Sequence, residues 1–478
     1  MRSIEYTIVG QAYTERSLDW DAQTCINFYV AEDPTGKRPR MLVPTPGTEL
    51  RQVLQEGQLP IRQLYTNGEI LFVIVGNEVY RVNQLMDVTK IGSIGSPSGF
   101  VSMVHNNQML VIVDGSGGYT YHFTTGVFQK ITDSGFTTQP QMIDYLDGYF
   151  IVCQGDSNVF HLSALNNANQ WTLETGATQF ALVQSQPGKL VGLATLHGRL
   201  FLFGEYATEV WYDAGASDFP LRRDNNLLLQ YGCASRATIA AGHQCLFWLA
   251  RDKDGVGSVK MTDGTLPRTI STPVIEYAIQ QYQNIQNSFG FVFKEDGHIF
   301  YQLTFPDDQV TWLYDATMNA WSQLQDSQQG CHQATCHAFF NSEHIVGDKK
   351  GPYLLALSSR YLTNGGEWIH RERTGPHFCD SSNHQLRVAS FDLLLETGTS
   401  MASSDEEAPK ILLSFSRDGG HRFGNQHALT LGRAGDFGQR VIWRRLGMSR
   451  DYVFKIELWH PVKALIFGAT LHYEVMPT

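Results

Sequence analysis

Charge is scarce in this chain, long apolar runs are missing, and cysteine follows no pairing pattern. Each lack removes a class of protein. Only 17% of the 478 residues are charged, with Asp+Glu 47 against Lys+Arg 36 and a net charge of −11. Residues 360–478 hold 14 Lys+Arg and 13 Asp+Glu, so the acidity lies upstream, at 22 basic against 34 acidic. That balance argues against ordinary phosphate-backbone binding, which needs clustered basic groups. No run approaches the ~20 apolar residues that span a bilayer; the longest, such as residues 70–75, have strand length. The opening MRSIEYTIVG has no apolar segment with a cleavage site, so the expectation is a soluble intracellular product without a secretory signal. Seven cysteines, an odd number, lie mostly inside apolar runs (Cys153, Cys245). That suits buried thiols in a reducing cytosol better than a disulfide framework.

What the chain does have is strand formers and turn formers: 12% aromatics, Gly 44 and Pro 17. Residues 67–83, NGEILFVIVGNEVYRVN, read as turn, apolar run, Gly-Asn turn and second run. Val, Ile, Phe and Tyr pack on pleated surfaces, and Asn-Gly and Gly-Asn supply the positive φ of tight hairpins. Variants of this hairpin begin at Asn106, Asp147, His197, His243, Glu295 and, more weakly, Ser342. Starts about 40–50 residues apart match propeller blades. A blade normally has four strands, so this reading allows some units to be half blades and others degenerate.

The expected fold is all-β in three parts. Residues 1–60 are a Pro-containing extended arm that lies along something else and is able to donate a strand to the propeller. Residues 61–359 are a β-propeller-like repeat domain, and residues 360–478, without the repeat period, are a β-sandwich-like domain. Val274, Tyr277, Ala278 and Ile285 follow a helical period, which predicts a short helix on the propeller rim. The polar segment GTSMASSDEEAPK, residues 398–410, reads as a mobile loop.

Chemistry is hard to find. Ser416-Arg417-Asp418-Gly419-Gly420-His421-Arg422-Phe423 resembles an Asp-box hairpin, a structural turn rather than a catalytic one. Cys331, His332, Cys336 and His337 gather zinc-type donors, but each Cys-His pair is adjacent and would point to opposite faces of a strand. Asp307-Asp308, Asp405-Glu406-Glu407 and Asp252/Asp254 sit in turns, and nothing singles out the two convergent carboxylates a glycosidase needs. The glycine-rich segments at residues 92–99 and 114–119 lack the Lys-Ser/Thr of a phosphate loop. No catalytic, cofactor or metal site is assigned. One basic, aromatic-interleaved stretch remains: Arg440, Trp443, Arg444, Arg445 and Arg450 fit a protein interface better than a nucleic-acid contact.

Both ends of the chain carry a resemblance. Gly10-Gln11-Ala12-Tyr13, Arg16-Ser17, Asp21-Ala22-Gln23, Cys25-Ile26-Asn27-Phe28-Tyr29 and Thr45-Pro46-Gly47 resemble the opening of podophage tail nozzle proteins. That family includes the packaged-DNA stabilisation protein of short-tailed phages. Ser416–Gly420, Leu431-Gly432, Gly435-Asp436, the residues 440–447 and Ser449-Arg450-Asp451 resemble its closing domain, with Phe28 and Phe423 as conservative departures. The resemblance implies a virion structural protein without enzymatic activity, assembled in the host cytoplasm and resident in the virion tail. It implies a ring of six, with an adaptor protein, tail fibres or spikes and a plug or needle as partners. Double-stranded DNA passes transiently through the lumen, and nothing inserts in a membrane. The alternatives are a carbohydrate-active propeller enzyme, sialidase-like or capsule-degrading, and a generic propeller scaffold.

Overall fold

The computed structural model describes every residue except 37, 55–58, 173–178, 185–187, 217–218, 254, 400–407 and 477–478. The carboxylates Asp254, Asp405, Glu406 and Glu407 and most of the expected loop at residues 398–410 therefore lie outside the described residues.

Each of the seven hairpins forms the middle of one complete blade, so none is a half blade. Blade 1, for example, is Ile61–Thr66, Leu71–Val75, Glu78–Val82 and Val88–Ser93, all antiparallel. Blades 2, 3, 4 and 6 repeat this order. In blade 5 the innermost strand is split into Gly232–Cys233 and Ala240–Gly242, both paired with Cys245–Asp252 around a 3-10 turn at Arg236–Thr238. Blade 7 takes its fourth strand from the far end of the chain: Gly47–Val53 pairs with Tyr353–Ser358. Its innermost strand, Ala334–Phe340, then packs on that of blade 1 and closes the ring.

The second strand of a blade is sandwiched on both faces, which is why it is apolar at every position. In Leu71–Val75, Leu71, Val73 and Val75 pack with blade 7, and Phe72 and Ile74 pack with blade 2. Successive side chains leave a strand on opposite faces, so one continuous apolar run feeds two inter-blade cores. The predicted rim helix is Pro273–Gln281; the Thr272 hydroxyl accepts from the Ile275 amide, and Val274, Ile275 and Ile279 are buried. Among the described residues no helix is long and apolar enough to cross a membrane.

Beyond the propeller, two sheets face each other. One contains Val441–Ser449, Leu386–Leu395, Ile466–Val475 and three N-terminal strands, Arg2–Tyr6, Arg40–Pro44 and Phe28–Glu32. The other contains Arg371–Thr374, Asp451–Leu458, Lys410–Ser416 and His427–Thr430. Two residues join this second sheet to the propeller. The short strand Cys25–Ile26 pairs with blade 6 through Gln323 on one side and with Glu372 and Arg373 on the other. A single ten-stranded sheet thus runs from blade 6 into the sandwich, and one apolar core lies beneath both.

Candidate interface and a buried polar junction

The sequence motifs that hinted at chemistry turn out to be occupied by their own structure. The Ser416 hydroxyl donates to Asp418 Oδ1 (2.7 Å) and accepts from the Gly420 amide (2.9 Å), while Asp418 Oδ1 accepts from the Arg422 amide (2.9 Å). These bonds hold the Asp418 carboxyl below the usual range, the Ser416 hydroxyl being the largest cause. This is the structural turn expected of an Asp box. Cys336 and His337 do leave their strand on opposite sides: Cys336 joins the core between blades 7 and 1, and His337 stacks on Phe291 of blade 6. Burial pushes the Cys336 thiol up to about 12 and holds His332 at about 4 and His337 at about 3. Cys331 Sγ instead lies 3.4 Å from Lys349 Nζ. Asp307 and Asp308 accept from Asn287 Nδ2 (2.9 Å) and the Gln283 amide (3.2 Å) and so tie down the segment after the helix.

The propeller axis is a channel of about 660 Å³ lined by all seven innermost strands. Asp144 is its one carboxylate among the described lining residues. Its Oδ2 accepts from the Thr195 amide (2.7 Å) and hydroxyl (2.9 Å), and burial raises its pKa. Arg62 turns away to the carbonyls of Gly76, Ser96, Ser98 and Gly99. A lone, hydrogen-bonded carboxylate cannot supply the acid and base pair of glycoside hydrolysis.

The basic stretch divides. Trp443 is 4% exposed and its indole donates to the His427 carbonyl (2.7 Å), so it is a core residue and not part of a surface patch. The sequence offered no sign of this, because Trp is common both in cores and at interfaces. Arg440, Arg444, Arg445 and Arg450 are exposed. Arg440 pairs with Asp392 at 2.8 Å. Arg444 and Arg445 sit at a β-bulge opposite Val388–Ser390, with Arg445 at φ 62°. The bulge explains why two successive residues both face solvent.

Where the sandwich meets the propeller lies a polar junction that the sequence reading missed. Arg373 is fully buried, and its guanidinium donates to the carbonyls of Ile8 (2.6 Å), Gln11 (3.0 Å) and Thr24 (2.9 Å) and to Gln23 Oε1 (2.5 Å). Every acceptor belongs to the N-terminal segment. Asn27, at φ 54°, donates through Nδ2 to the carbonyls of Gln325 (3.1 Å) and His370 (2.6 Å) and accepts the Gln325 amide (2.9 Å). One side chain therefore ties blade 6, the sandwich and the arm together. His370 Nε2 lies 3.3 Å from Glu457 Oε1, with Glu372 nearby, the one such metal-capable group among the described residues. Lys455 Nζ, at 3.5 Å from Glu372 and 4.0 Å from Glu457, already supplies a cation there. The signal was present as Arg371-Glu372-Arg373, three successive charged residues.

Comparison with known families decides the identity. Residues 5–361 match the family model described as "Bacteriophage P22 Gp10, beta-propeller", and residues 372–474 match "Bacteriophage P22 Gp10, beta-sandwich". The chain belongs to the bacteriophage P22 Gp10 family. It is a phage tail structural protein of this packaged-DNA stabilisation family, with the propeller followed by the sandwich. Gly10, Gln11, Gln23 and Asn27, among the residues on which the sequence resemblance rests, take part in the junction: a Cβ on Gly10 would lie 2.9 Å from Arg373 Nη2. No curated protein matches the chain. Its path is similar to that of the N-terminal domain of Nup159, at 9% identity and TM-score 0.43 over 70% of this chain and 98% of that one. It is also similar to the Neurospora crassa Pan2 WD40 domain, at 7% and 0.41 over 65% and 97%. Both likenesses are distant.

Proposed function

We propose that this protein is the tail nozzle of a short-tailed phage. Six copies form a ring below the portal and adaptor, extend the DNA channel and retain packaged DNA until ejection. The observation that carries the reading is membership of the P22 Gp10 family across both domains. Two structural features support it. The sheet that continues from blade 6 into the sandwich makes each copy a stiff unit, as a wall under pressure requires. The acidity of the upstream residues, 22 Lys+Arg against 34 Asp+Glu before residue 360, discourages DNA from sticking to that wall. The propeller axis, at about 660 Å³, has the volume of a small-molecule pocket, so the duplex would pass between copies and not through one. Fibres or spikes and a plug or needle would dock on outer surfaces, after assembly in the host cytoplasm. No catalytic step is part of this role.

The test is DNA retention by filled heads that lack the protein, with and without purified protein added back. Retention restored together with a ring of density below the adaptor is the expected result. Heads that leak equally in both cases, with nothing bound at the portal vertex, would overturn the reading.

A further inference from the structure

The two faces of the propeller differ in what they expose. One face carries the turns between first and second and between third and fourth strands. Neighbouring blades interlock there: Asn106 Nδ2 donates to the Asn166 carbonyl and Asn341 Nδ2 to the Gln84 carbonyl, both at 3.4 Å. On this face large apolar side chains stand clear of the surface in blade after blade. Leu85, Val127, Leu165, Leu266 and Phe339 are 83, 51, 59, 73 and 55% exposed. At the opposite face the described exposed large apolar residues are Leu59, Tyr277 and the strand-end Val53 and Leu182, the last two only 46 and 38% exposed, and Tyr277 is covered by the Arg16 guanidinium at 4.5 Å. Scattered single apolar residues need no explanation, but a set that is larger and more exposed on one face does.

The charges within those turns are mainly acidic. Asp87, Asp147, Asp263 and Asp296 are exposed at the same turns, and none is in an ion pair among the described residues. Arg360 is the one Lys or Arg among the described residues of these turns. A partner must therefore be basic with apolar contacts of its own. The sandwich of the same chain has such a surface. Val441–Ser449 ends its sheet and presents Arg444 and Arg445 from the bulge, with Arg450 beyond. Met448 is 51% exposed and Phe437, in the loop leading in, 74%.

We infer that the acidic, apolar-tipped turn face of the propeller is the docking surface for the Arg444–Arg445 edge of a second copy of this chain. Such a contact uses two different patches on each copy, which is the heterologous geometry that closes rings. The inference rests on the nozzle reading for its ring of identical copies, and it names the surfaces that meet.

Charge exchange in the full-length protein tests it, read by sedimentation velocity across a concentration series at low salt. Asp147→Lys/Asp263→Lys/Asp296→Lys should weaken self-association roughly tenfold or more, and Arg444→Glu/Arg445→Glu likewise. The combined variant should return to within about threefold of the parent, because the opposed charges are swapped and not lost. Leu85→Ser/Leu266→Ser should also weaken association while leaving thermal unfolding unchanged, since both side chains are exposed. A parent chain that stays monomeric overturns the inference. So do charge sets without effect, or sets whose losses add in the combined variant, the last pointing to a different basic partner. Heads that still retain DNA with any of these outcomes would leave the nozzle reading standing and remove only the docking surface.

Discussion

Blade 2 and the junction around Arg373 bury backbone by opposite means. In Met109–Val113 every side chain is apolar; Leu110 and Ile112 enter one inter-blade core, and Met109, Val111 and Val113 enter the next. Burial there is non-directional, so a change in one side chain is felt mainly by its own two clusters. At the junction the buried groups are Arg373, Asn27, His370 and Glu457, and Arg373, Asn27 and Glu457 each answer several partners in distant parts of the chain. Directional bonds from one donor to many acceptors specify a single arrangement, and they fail together. The propeller is stabilised by repetition, whereas the propeller–sandwich connection adds to its shared apolar core a few polar groups that fix one arrangement.

The largest test of that contrast is Arg373→Met. It strands the carbonyls of Ile8 and Gln11 in the interior and should cost about 4 kcal/mol in denaturant unfolding, with propeller and sandwich separating into two transitions. A loss below about 1 kcal/mol would show that the network is dispensable. Leu110→Ala, a deletion in an apolar blade core, should cost about 3 kcal/mol with the transition still single. Gly47→Ala sets a methyl group 2.5 Å from the carbonyl oxygens of Tyr361 and Thr363, where the arm closes blade 7. It should cost about 2 kcal/mol and raise hydrogen exchange in Tyr353–Ser358 first.

Acid should act next. His344 Nε2 lies 2.7 Å from the Lys294 carbonyl and so donates to it; its Nδ1 therefore accepts from His337 Nε2 at 2.8 Å. Burial holds His337 neutral, with its pKa down at about 3, and His332 at about 4. The unfolded chain takes up these protons near pH 6.5, so stability is complete above about pH 6.5 and falls on acidification, by about 1.4 kcal/mol per pH unit for each such histidine. His337→Gln, which keeps a donor for His344, should remove roughly half of the slope between about pH 6 and 4; an unchanged slope would assign it elsewhere. The smallest effect is expected at Arg440→Ala. Its ion pair with Asp392 is 73% exposed on the arginine side, and the change should move stability by less than about 0.5 kcal/mol.

The same contrast governs what could be read from residues alone. The hairpins were legible because a doubly covered strand writes its burial directly as an unbroken apolar run with turn residues at both ends. The helix at Pro273–Gln281 was legible from its period. The blade count was not, because outer strands such as Val88–Ser93 and Gln179–Leu182 are short, half exposed and compositionally plain. The seventh blade's outer strand lies some three hundred residues away in sequence, where only pairing geometry can find it. Trp443 went to the wrong place because a tryptophan between arginines looks the same at an interface and above a core. The junction hid because a buried arginine is recognised by the carbonyls around it, and a sequence does not list carbonyls.

The use of Gly47–Val53 as the outer strand of blade 7 has a consequence for biosynthesis. The segment leaves the ribosome early, yet its partner Tyr353–Ser358 follows only after about three hundred more residues, which is roughly 15–60 s of translation at about 5–20 residues per second. Arg2–Tyr6 waits longer still, for Ile466–Val475. Throughout that interval two unpaired strands trail from a growing row of finished blades. The ring can shut only once Tyr353–Ser358 of the 478-residue chain has been made, so a product truncated before that point would keep open edges and be marked for removal before it could enter a virion.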